Sequence, residues 1–460
     1  MKKALSLFLA FIIAFGVAAI GFNALPHTVA EAAQTYIENN FYYTVSEGNA
    51  IVTGYADKQS TDEIFIPETL GGYPVNELAA ESFKGCRCTA ITIPASVRII
   101  DPEAFAYDMP NIERYTVLED NPNYYSDEDG VIFSNFSYLG YPYIFAYPKN
   151  APAEKYTAEG GSIITIIGAF AFSEAANLKE IKLSGPVASA VDSYGFYNAK
   201  KLEKVSSSEM WAIGDYAFAG CSSLSDINLV IDGPIQWFGW DAFDGTAFIN
   251  NRDNYDEDGV LYYGDNLIAT LPESDRVYYE IKAGTKSVSG GAFKWESLEE
   301  VRIPASVNWI CVNPFARCLN IERFTVDPSG SCKTDKYGAL IIDDMIVAYP
   351  NGVYQTCYTV ETNITQICSY AFYNSPIKNF YIPSTTDMGM GYLSLGGDRV
   401  TDIHFGGNEG QWEAVRHPKE SYEKITAAEN VANIHFNDYS LSEQDVYFSL
   451  FTVAWCSDNE

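Results

Sequence analysis

Basic residues are scarce in this 460-residue sequence. Its 29 Lys and Arg face 60 Asp and Glu, which gives a formal net charge of −31 at pH 7. Phosphate backbones and anionic membrane surfaces repel such a chain, so we predict no nucleic-acid partner. The simplest interpretation of the acidity is that it keeps the protein soluble, and the alternative is an acidic docking function.

Histidine is also scarce, and familiar catalytic motifs are missing. Apart from His27, the histidines are His404, His417 and His435. There is no G-x-S-x-G elbow, HExxH helix, P-loop or Rossmann glycine pattern. The nine cysteines lack the paired CxxC spacing of a zinc site. We therefore predict no catalytic site, no cofactor and no metal site, and we expect packing or surface roles for His404 and His435.

Long apolar runs are confined to the N-terminus. Lys2 and Lys3 precede the apolar run 4–20, and Ala30-Glu31-Ala32 follows it. A positive start, an apolar middle and an A-x-A exit predict a secretory signal peptide over residues 1–32, with a retained anchor as the alternative. We expect no stable membrane span after signal removal, and a secreted or cell-surface protein.

The remaining sequence repeats a unit built around a phenylalanine. The pairs Phe83 and Phe105, Phe196 and Phe218, and Phe293 and Phe315 have the same spacing, and further anchors are Phe172, Phe243 and Phe372. Each unit also contains a segment of alternating apolar and polar residues, such as 178–183, which is typical of a strand with one buried face. One unit cannot bury its apolar side alone, so we predict that the units stack and align these strands as a parallel sheet.

The unit L-x-x-I-x-I-P-x-S-V-x-x-I-G-x-x-A-F-x-x-C resembles the BspA-type leucine-rich repeat of secreted and surface bacterial proteins, over about residues 40–436. The resemblance implies a β-rich repeat solenoid and a non-catalytic role in protein recognition or adhesion outside the cell. We predict an N-terminal cap and first repeat at 33–80, repeats at 81–400, a C-terminal cap at 401–437 and a tail at 438–460. Three β-hairpin inserts are expected near 118–160, 250–282 and 325–360.

The second insert contains an acidic turn, in which Asn254, Asp256, Asp258 and Asp265 approach the spacing of an EF-hand loop. Its flanks have strand periodicity instead of helices, so we interpret it as a solvated turn and keep calcium binding as the alternative.

Two roles are expected for cysteines. Cys86, Cys221 and Cys318 follow their anchor phenylalanines by three residues, which indicates buried packing positions. Cys311 and Cys368 take the slot that Gly168 and Gly214 hold in other units. If their coils are adjacent, the two would lie about one strand spacing apart, which suits a disulfide.

The outward positions of the alternating segments form the candidate binding face. Their side chains are mostly charged and of mixed sign, and the alternative is that they only solvate the sheet. The candidates are Glu113, Arg114, Lys179, Glu180, Lys182, Glu203, Lys204, Asp226, Asn228, Glu299, Glu300, Arg302, Glu322 and Arg323.

We expect the protein to be a monomer. Its expected partner is another extracellular protein, because stacked repeats offer an extended surface. A glycoconjugate is the alternative, suggested by 33 Tyr and 7 Trp, among them Trp237, Trp240, Trp295 and Trp309. Solvent exposure of these rings distinguishes the two. A carbohydrate-active enzyme is a weaker alternative, since nothing singles out two of the sixty carboxylates as a catalytic pair.

Overall fold

The structure is a computed structural model that describes residues 34–135, 143–158, 164–184, 188–207, 209–230, 235, 237–386, 394–396, 399–416 and 433–439. The predicted signal peptide, most of the predicted tail and His417 lie outside the described residues. The chain divides into two compact units, an N-terminal unit that ends at Asn254 and a C-terminal unit that begins at Tyr255.

The N-terminal unit consists almost entirely of short strands. They are β1 (Tyr36–Glu38), β2 (Phe41–Ser46), β3 (Asn49–Tyr55), β4 (Ile64–Phe65), β5 (Thr69–Leu70), β6 (Tyr73–Leu78), β7 (Ala90–Ile93), β8 (Ile99–Ile100), β9 (Arg114–Val117), β10 (Tyr124–Ser126), β11 (Ile132–Ser134), β12 (Tyr143–Ala146), β13 (Lys155–Ala158), β14 (Ile164–Ile167), β15 (Glu180–Leu183), β16 (Ala188–Val191), β17 (Lys204–Ser207), β18 (Met210–Ile213), β19 (Asp226–Leu229) and β20 (Trp237–Phe238). Helical turns span Pro102–Phe105 and Arg252–Asn254, and helix α1 spans Ala247–Asn250.

The C-terminal unit has the same character. Its strands are β21 (Val260–Tyr263), β22 (Asn266–Thr270), β23 (Tyr278–Glu280), β24 (Ser287–Val288), β25 (Glu300–Ile303), β26 (Arg323–Val326), β27 (Cys332–Thr334), β28 (Leu340–Ile342), β29 (Met345–Ala348), β30 (Cys357–Thr359), β31 (Gln366–Ile367), β32 (Asn379–Ile382), β33 (Asp402–Phe405) and β34 (Asn433–Phe436), and helix α2 spans Glu409–Arg416.

A typical coil contributes two strands instead of the single strand that the sequence predicts. The alternating segments form parallel sheets in the orders β4-β7-β9, β13-β15-β17-β19, β23-β25-β26 and β30-β32-β33-β34, and we call these the front strands. A second strand in many coils pairs with its equivalent in the next coil, as in β14-β16-β18-β20, and we call these the back strands. The predicted parallel solenoid is confirmed, with a second strand series added.

The anchor phenylalanines stack between the two strand series. Phe172 and Phe196 have ring centroids 4.9 Å apart, Phe196 and Phe218 5.0 Å, and Phe218 and Phe243 5.1 Å. In the C-terminal unit Phe293 and Phe315 are 4.8 Å apart. All nine anchors are buried. Stacked coils therefore hide the apolar side of one another, as predicted.

The inserts take part in the coils. In the first insert β10, β11 and β12 pair antiparallel, and β12 then pairs parallel with the back strand β14. Tyr147, which follows β12, stacks on Phe172 at 4.7 Å, and Tyr349 in the third insert stacks on Phe372 at 5.4 Å. Each hairpin thus supplies the back strand of its own coil, and these tyrosines take the place of a phenylalanine anchor.

A buried lysine links the coils on either side of the first insert. Lys149 Nζ donates to the backbone oxygen of Ala106 at 2.5 Å and to that of Ser173 at 3.0 Å, and it lies 3.0 Å from Glu174 Oε2. Burial lowers the pKa of Lys149, while the Glu174 carboxylate opposes that shift. These hydrogen bonds and the Glu174 carboxylate compensate the charge, as a buried cation requires.

Replacing a stacked anchor is expected to cost much of the stability. Phe196→Ala removes a fully buried ring between two others, so we expect the free energy of unfolding to fall by about 3–5 kcal/mol. Tyr354→Ala, at a residue that is 92% exposed, is the control and should change it by less than about 0.5 kcal/mol. Urea unfolding followed by circular dichroism measures both, and equal effects would contradict the stacked core.

A buried carboxyl predicts an unusual pH dependence. Asp192 is 6% exposed, and burial raises its pKa to about 7, a shift that Asp215 reinforces. Because the pKa of Asp192 is higher in the folded protein, its uncharged carboxyl stabilises the fold fully below the ordinary pKa of 3.8. This contribution to the free energy of unfolding is lost as the pH rises to about 7. We expect Asp192→Asn to stabilise the protein increasingly between pH 4 and pH 7, by up to about 4 kcal/mol.

The measurement is the urea midpoint of the natural protein and of Asp192→Asn across this pH range. The Asn side chain can still accept the hydrogen bond that Ser193 N donates to Asp192 Oδ1 at 2.6 Å. Asp62→Asn, at an exposed carboxylate, is the control. A gain that does not vary with pH would contradict the burial of an uncharged carboxyl.

Candidate recognition face

Most of the predicted binding residues lie on the outer side of the front strands, and five lie just before one: Glu113, Lys179, Glu203, Glu299 and Glu322. In β15, Ile181 and Leu183 are buried while Lys182 is exposed and Glu180 is half-buried. Parallel register places Glu180 beside Lys155 and Lys204, and Lys204 beside Asp226. Lys182 lies in a second row with Ser206 and Asn228. The repeat thus turns residues far apart in sequence into rows across the sheet.

The first of these rows alternates in sign. Lys155 Nζ lies 2.7 Å from Glu180 Oε2, and Lys204 Nζ lies 3.2 Å from Asp226 Oδ2. Just before β15, Lys179 Nζ lies 2.7 Å from Glu154 Oε1. The hydrogen bond from Lys155 holds the pKa of Glu180 below its usual value. These charges neutralise one another from coil to coil.

The C-terminal unit has an equivalent arrangement on β25 and β26. Arg323 pairs with Glu300, and Thr325 Oγ1 donates to Glu300 Oε1 at 2.6 Å. Arg302 Nε lies 3.6 Å from Glu280 Oε1. Hydrogen bonds from Arg323 and Thr325 lower the pKa of Glu300. Glu300 thus joins β25 to β26 across the front sheet of this unit.

Other candidates are not joined in this way. The side chains of Lys182, Glu299 and Glu322 form no ion pair with any residue that the structure describes. Glu203 is exposed and precedes β17. Arg114 begins β9 in the separate sheet β4-β7-β9. Glu113 lies just before it, and its Oε1 accepts a hydrogen bond from Asn150 at 3.2 Å. The face therefore combines internally paired rows with charges that have no partner in the sheet.

The repeat matches a known family along most of its length. Six copies of the BspA type leucine-rich repeat region cover residues 55–128, 149–253 and 277–392, more than half of the chain. The chain belongs to this family. No curated protein matches the sequence. Within the part of the chain that the structure describes, no helix is long and apolar enough to cross a membrane.

Solved structures of other leucine-rich-repeat proteins are similar to this BspA-type chain. A leucine-rich cell surface protein from Faecalibacterium prausnitzii is 17% identical, with 84% of this chain and 98% of that one covered and a TM-score of 0.29. The pneumococcal vaccine antigen PcpA is 15% identical, with 88% and 99% covered and a TM-score of 0.27. A leucine-rich repeat protein from Bacteroides ovatus is 14% identical, with 84% and 99% covered and a TM-score of 0.27.

The tryptophans that suggested glycan binding are largely inside the repeats. Trp240 and Trp295 are buried, and Trp237 and Trp309 are half-buried. Trp295 Nε1 donates to the backbone oxygen of Leu271 at 2.7 Å, which ties the second insert to its coil. Sugars stack on exposed ring faces, so the glycan alternative loses its main support.

The calcium alternative for the second insert also weakens. Asp256 Oδ1 accepts hydrogen bonds from the backbone of Val260 at 2.9 Å and of Asp258 at 3.1 Å, which closes the turn. Asp258 pairs with Arg276, and Asp265 with Lys286. The supposed ligands thus have separate partners. The corresponding Asp127 and Asp335 cap their own insert turns in the same way.

The buried cysteines confirm their predicted packing role. Cys221 Sγ donates to the backbone oxygen of Phe196 at 3.0 Å, and Cys318 Sγ to that of Phe293 at 3.6 Å. Each thiol therefore contacts the anchor of the preceding coil. Cys86 is buried as well, and burial raises its pKa to about 11 and that of Cys221 to about 12.

The proposed disulfide partners do lie in adjacent coils. A parallel bridge joins Val312 to Ser369, the residues that follow Cys311 and Cys368. The Cys368 Sγ, however, is directed at the backbone oxygen of Cys311, 2.6 Å away, and both residues are thiols in the structure. The adjacency is as expected, while the covalent bond between them stays a prediction.

Thiol labelling tests these assignments. The thiolate is the reactive form, so we expect Cys86, Cys221 and Cys318 to resist a maleimide at pH 8 until the protein is unfolded. Half-buried Cys357 serves as the internal control that reacts in the folded protein. Peptide mass mapping without reduction locates each label and shows whether Cys311 and Cys368 are linked. Rapid labelling of Cys221 in the folded protein would contradict its buried position.

Proposed function

We propose that this BspA-type protein is exported and acts, without catalysis, by recognising another extracellular protein through its front strands. The observation that carries the proposal is the set of in-register rows of outward charged side chains. Parallel hydrogen bonding fixes their backbones, so binding requires no ordering of the main chain. Mixed signs favour a protein partner with complementary rows, because charge complementarity sets register and specificity.

The acids of the face are poorly suited to hydrolysis. A glycosidase needs one carboxyl that stays protonated near neutral pH, which requires a raised pKa. The pKa values of Glu180 and Glu300 are instead lowered by their cationic neighbours. These carboxylates remain charged and paired, which suits recognition of a charged surface.

Export and surface exposure rest on two observations. The N-terminal residues 1–32 have the composition of a signal peptide. Leucine-rich repeats of the BspA type, in turn, extend over most of the remaining chain. A protein outside the cell meets its partners through a broad surface, and repeat stacking provides one in each unit.

An ion-pair inversion tests the face without disturbing the fold. In the double variant E300R/R323E the pair is retained with reversed polarity, so we expect unfolding to change by no more than about 1 kcal/mol. Binding to a captured partner should weaken by about tenfold or more, because the partner meets the wrong signs. The matched control is D265K/K286D, which inverts the pair between Asp265 and Lys286, 2.6 Å apart and outside the front strands.

The bait is the chain from residue 33 to 460, incubated with bacterial and host surface proteins. The captured partner is then purified, and its affinity is measured by biolayer interferometry at two salt concentrations. Single reversals of Glu300 and Arg302 map the contact. Equal affinity for the natural protein and E300R/R323E would exclude these front strands as the binding surface.

A further inference from the structure

Two histidines and an aspartate meet at the last front strands of the C-terminal unit. His404 on β33 and His435 on β34 are in register, and the inward residues beside His404, Ile403 and Phe405, are buried. Asp438 follows β34. One nitrogen from each imidazole and one Asp438 oxygen lie within 4.8 Å of one another. Among the described residues this is the one such group of histidine, cysteine and carboxylate side chains.

The spacing of these atoms suits a divalent transition metal. His404 Nδ1 and Asp438 Oδ2 are 3.1 Å apart. Two ligands bound tetrahedrally to zinc at about 2.0–2.2 Å lie roughly 3.3–3.5 Å from each other. For this pair of ligand atoms, a bound ion therefore requires a separation larger by a few tenths of an ångström. Imidazole nitrogen with a carboxylate oxygen is also a ligand set that zinc accepts.

His435 needs one rotation to join them. Its ring is nearly parallel to that of His404, with centroids 4.6 Å apart and planes at 11°, so the in-plane lone pairs do not converge. The His435 side chain is 43% exposed, which leaves room to turn about its Cβ–Cγ bond. Both ring nitrogens can serve as ligands, and the turn directs one of them towards the ion.

Neighbouring groups fix the two rings in the orientation that the structure shows. Asp402 Oδ1 lies 3.2 Å from His435 Nε2 and accepts a hydrogen bond from Asn433 Nδ2 at 3.0 Å. The turn of the His435 ring that the ion requires exchanges this contact for the bond to the metal. Tyr381 stacks on His404 at 4.4 Å with planes at 8°, which holds the other ring in place.

We propose that His404, His435 and Asp438 bind a zinc-type divalent cation on the front side of the C-terminal unit. Three protein ligands leave at least one coordination position for water or for a group of a partner molecule. The imidazoles must be neutral to bind, so metal affinity falls in acid. The site is independent of the charged rows on β25 and β26.

Zinc titration of the chain from residue 33 to 460 tests this proposal, by calorimetry and with Co²⁺ absorption as a second readout. We expect one metal ion per chain at this site and a loss of affinity of about tenfold or more in His435→Asn and in Asp438→Asn. Asp265→Asn is the matched control, because it removes an exposed carboxylate whose ion pair with Lys286 lies outside the cluster. Circular dichroism and the urea midpoint verify that each variant is folded.

The outcomes are distinct. Saturable binding that His435→Asn and Asp438→Asn weaken, with Asp265→Asn unchanged, supports the site. A Co²⁺ absorption spectrum with the intensity typical of tetrahedral coordination also supports the site. Absence of saturable zinc binding overturns the proposal, as does binding that the two cluster variants leave unchanged or that Asp265→Asn weakens equally.

Discussion

The stacking of equivalent residues from one coil to the next is the constraint on which the rest of the structure depends. Parallel hydrogen bonding holds neighbouring strands about 4.8 Å apart. The anchor rings of Phe172, Phe196 and Phe218 repeat at 4.9–5.0 Å, nearly the same distance. A side chain in this fold therefore meets mainly its own counterpart. That rule puts phenylalanine on phenylalanine in the core and alternating charges beside one another on the front strands.

Much of the fold was predictable because the repeat length and the alternation of apolar and polar residues are visible in the sequence. The alternation in 180–183 correctly placed Lys182 outside and Ile181 inside. The back strands escaped prediction because they do not alternate: all four residues of β18 are buried, and β8 has only two residues. The role of Tyr147 was missed because a tyrosine stands where other units have phenylalanine, although its ring occupies the equivalent place.

The backbone conformation near the anchors also could not be predicted from the sequence of a single unit. Phe170, Tyr194 and Tyr216, each two residues before an anchor, adopt φ of 59°, 59° and 53°. Bulky side chains rarely adopt this left-handed conformation, which costs of order 1–3 kcal/mol. Their rings stack in turn, at 4.9 Å between Phe170 and Tyr194 and 5.1 Å between Tyr194 and Tyr216. The contact exists only between coils, so no single unit reveals what offsets the strain.

The same rule separates two kinds of surface. Where opposite charges stack, as in Lys204 and Asp226, the side chains of neighbouring coils form an ion pair. A binding partner must then compete with that pair. Where like groups stack, as in His404 and His435, the fold brings together two imidazoles, whose nitrogens can bind a metal ion. The sequence concealed this pair because no metal motif has such a spacing along the chain. In a repeat protein, candidate chemistry has to be sought across the coils, at equal positions in successive units.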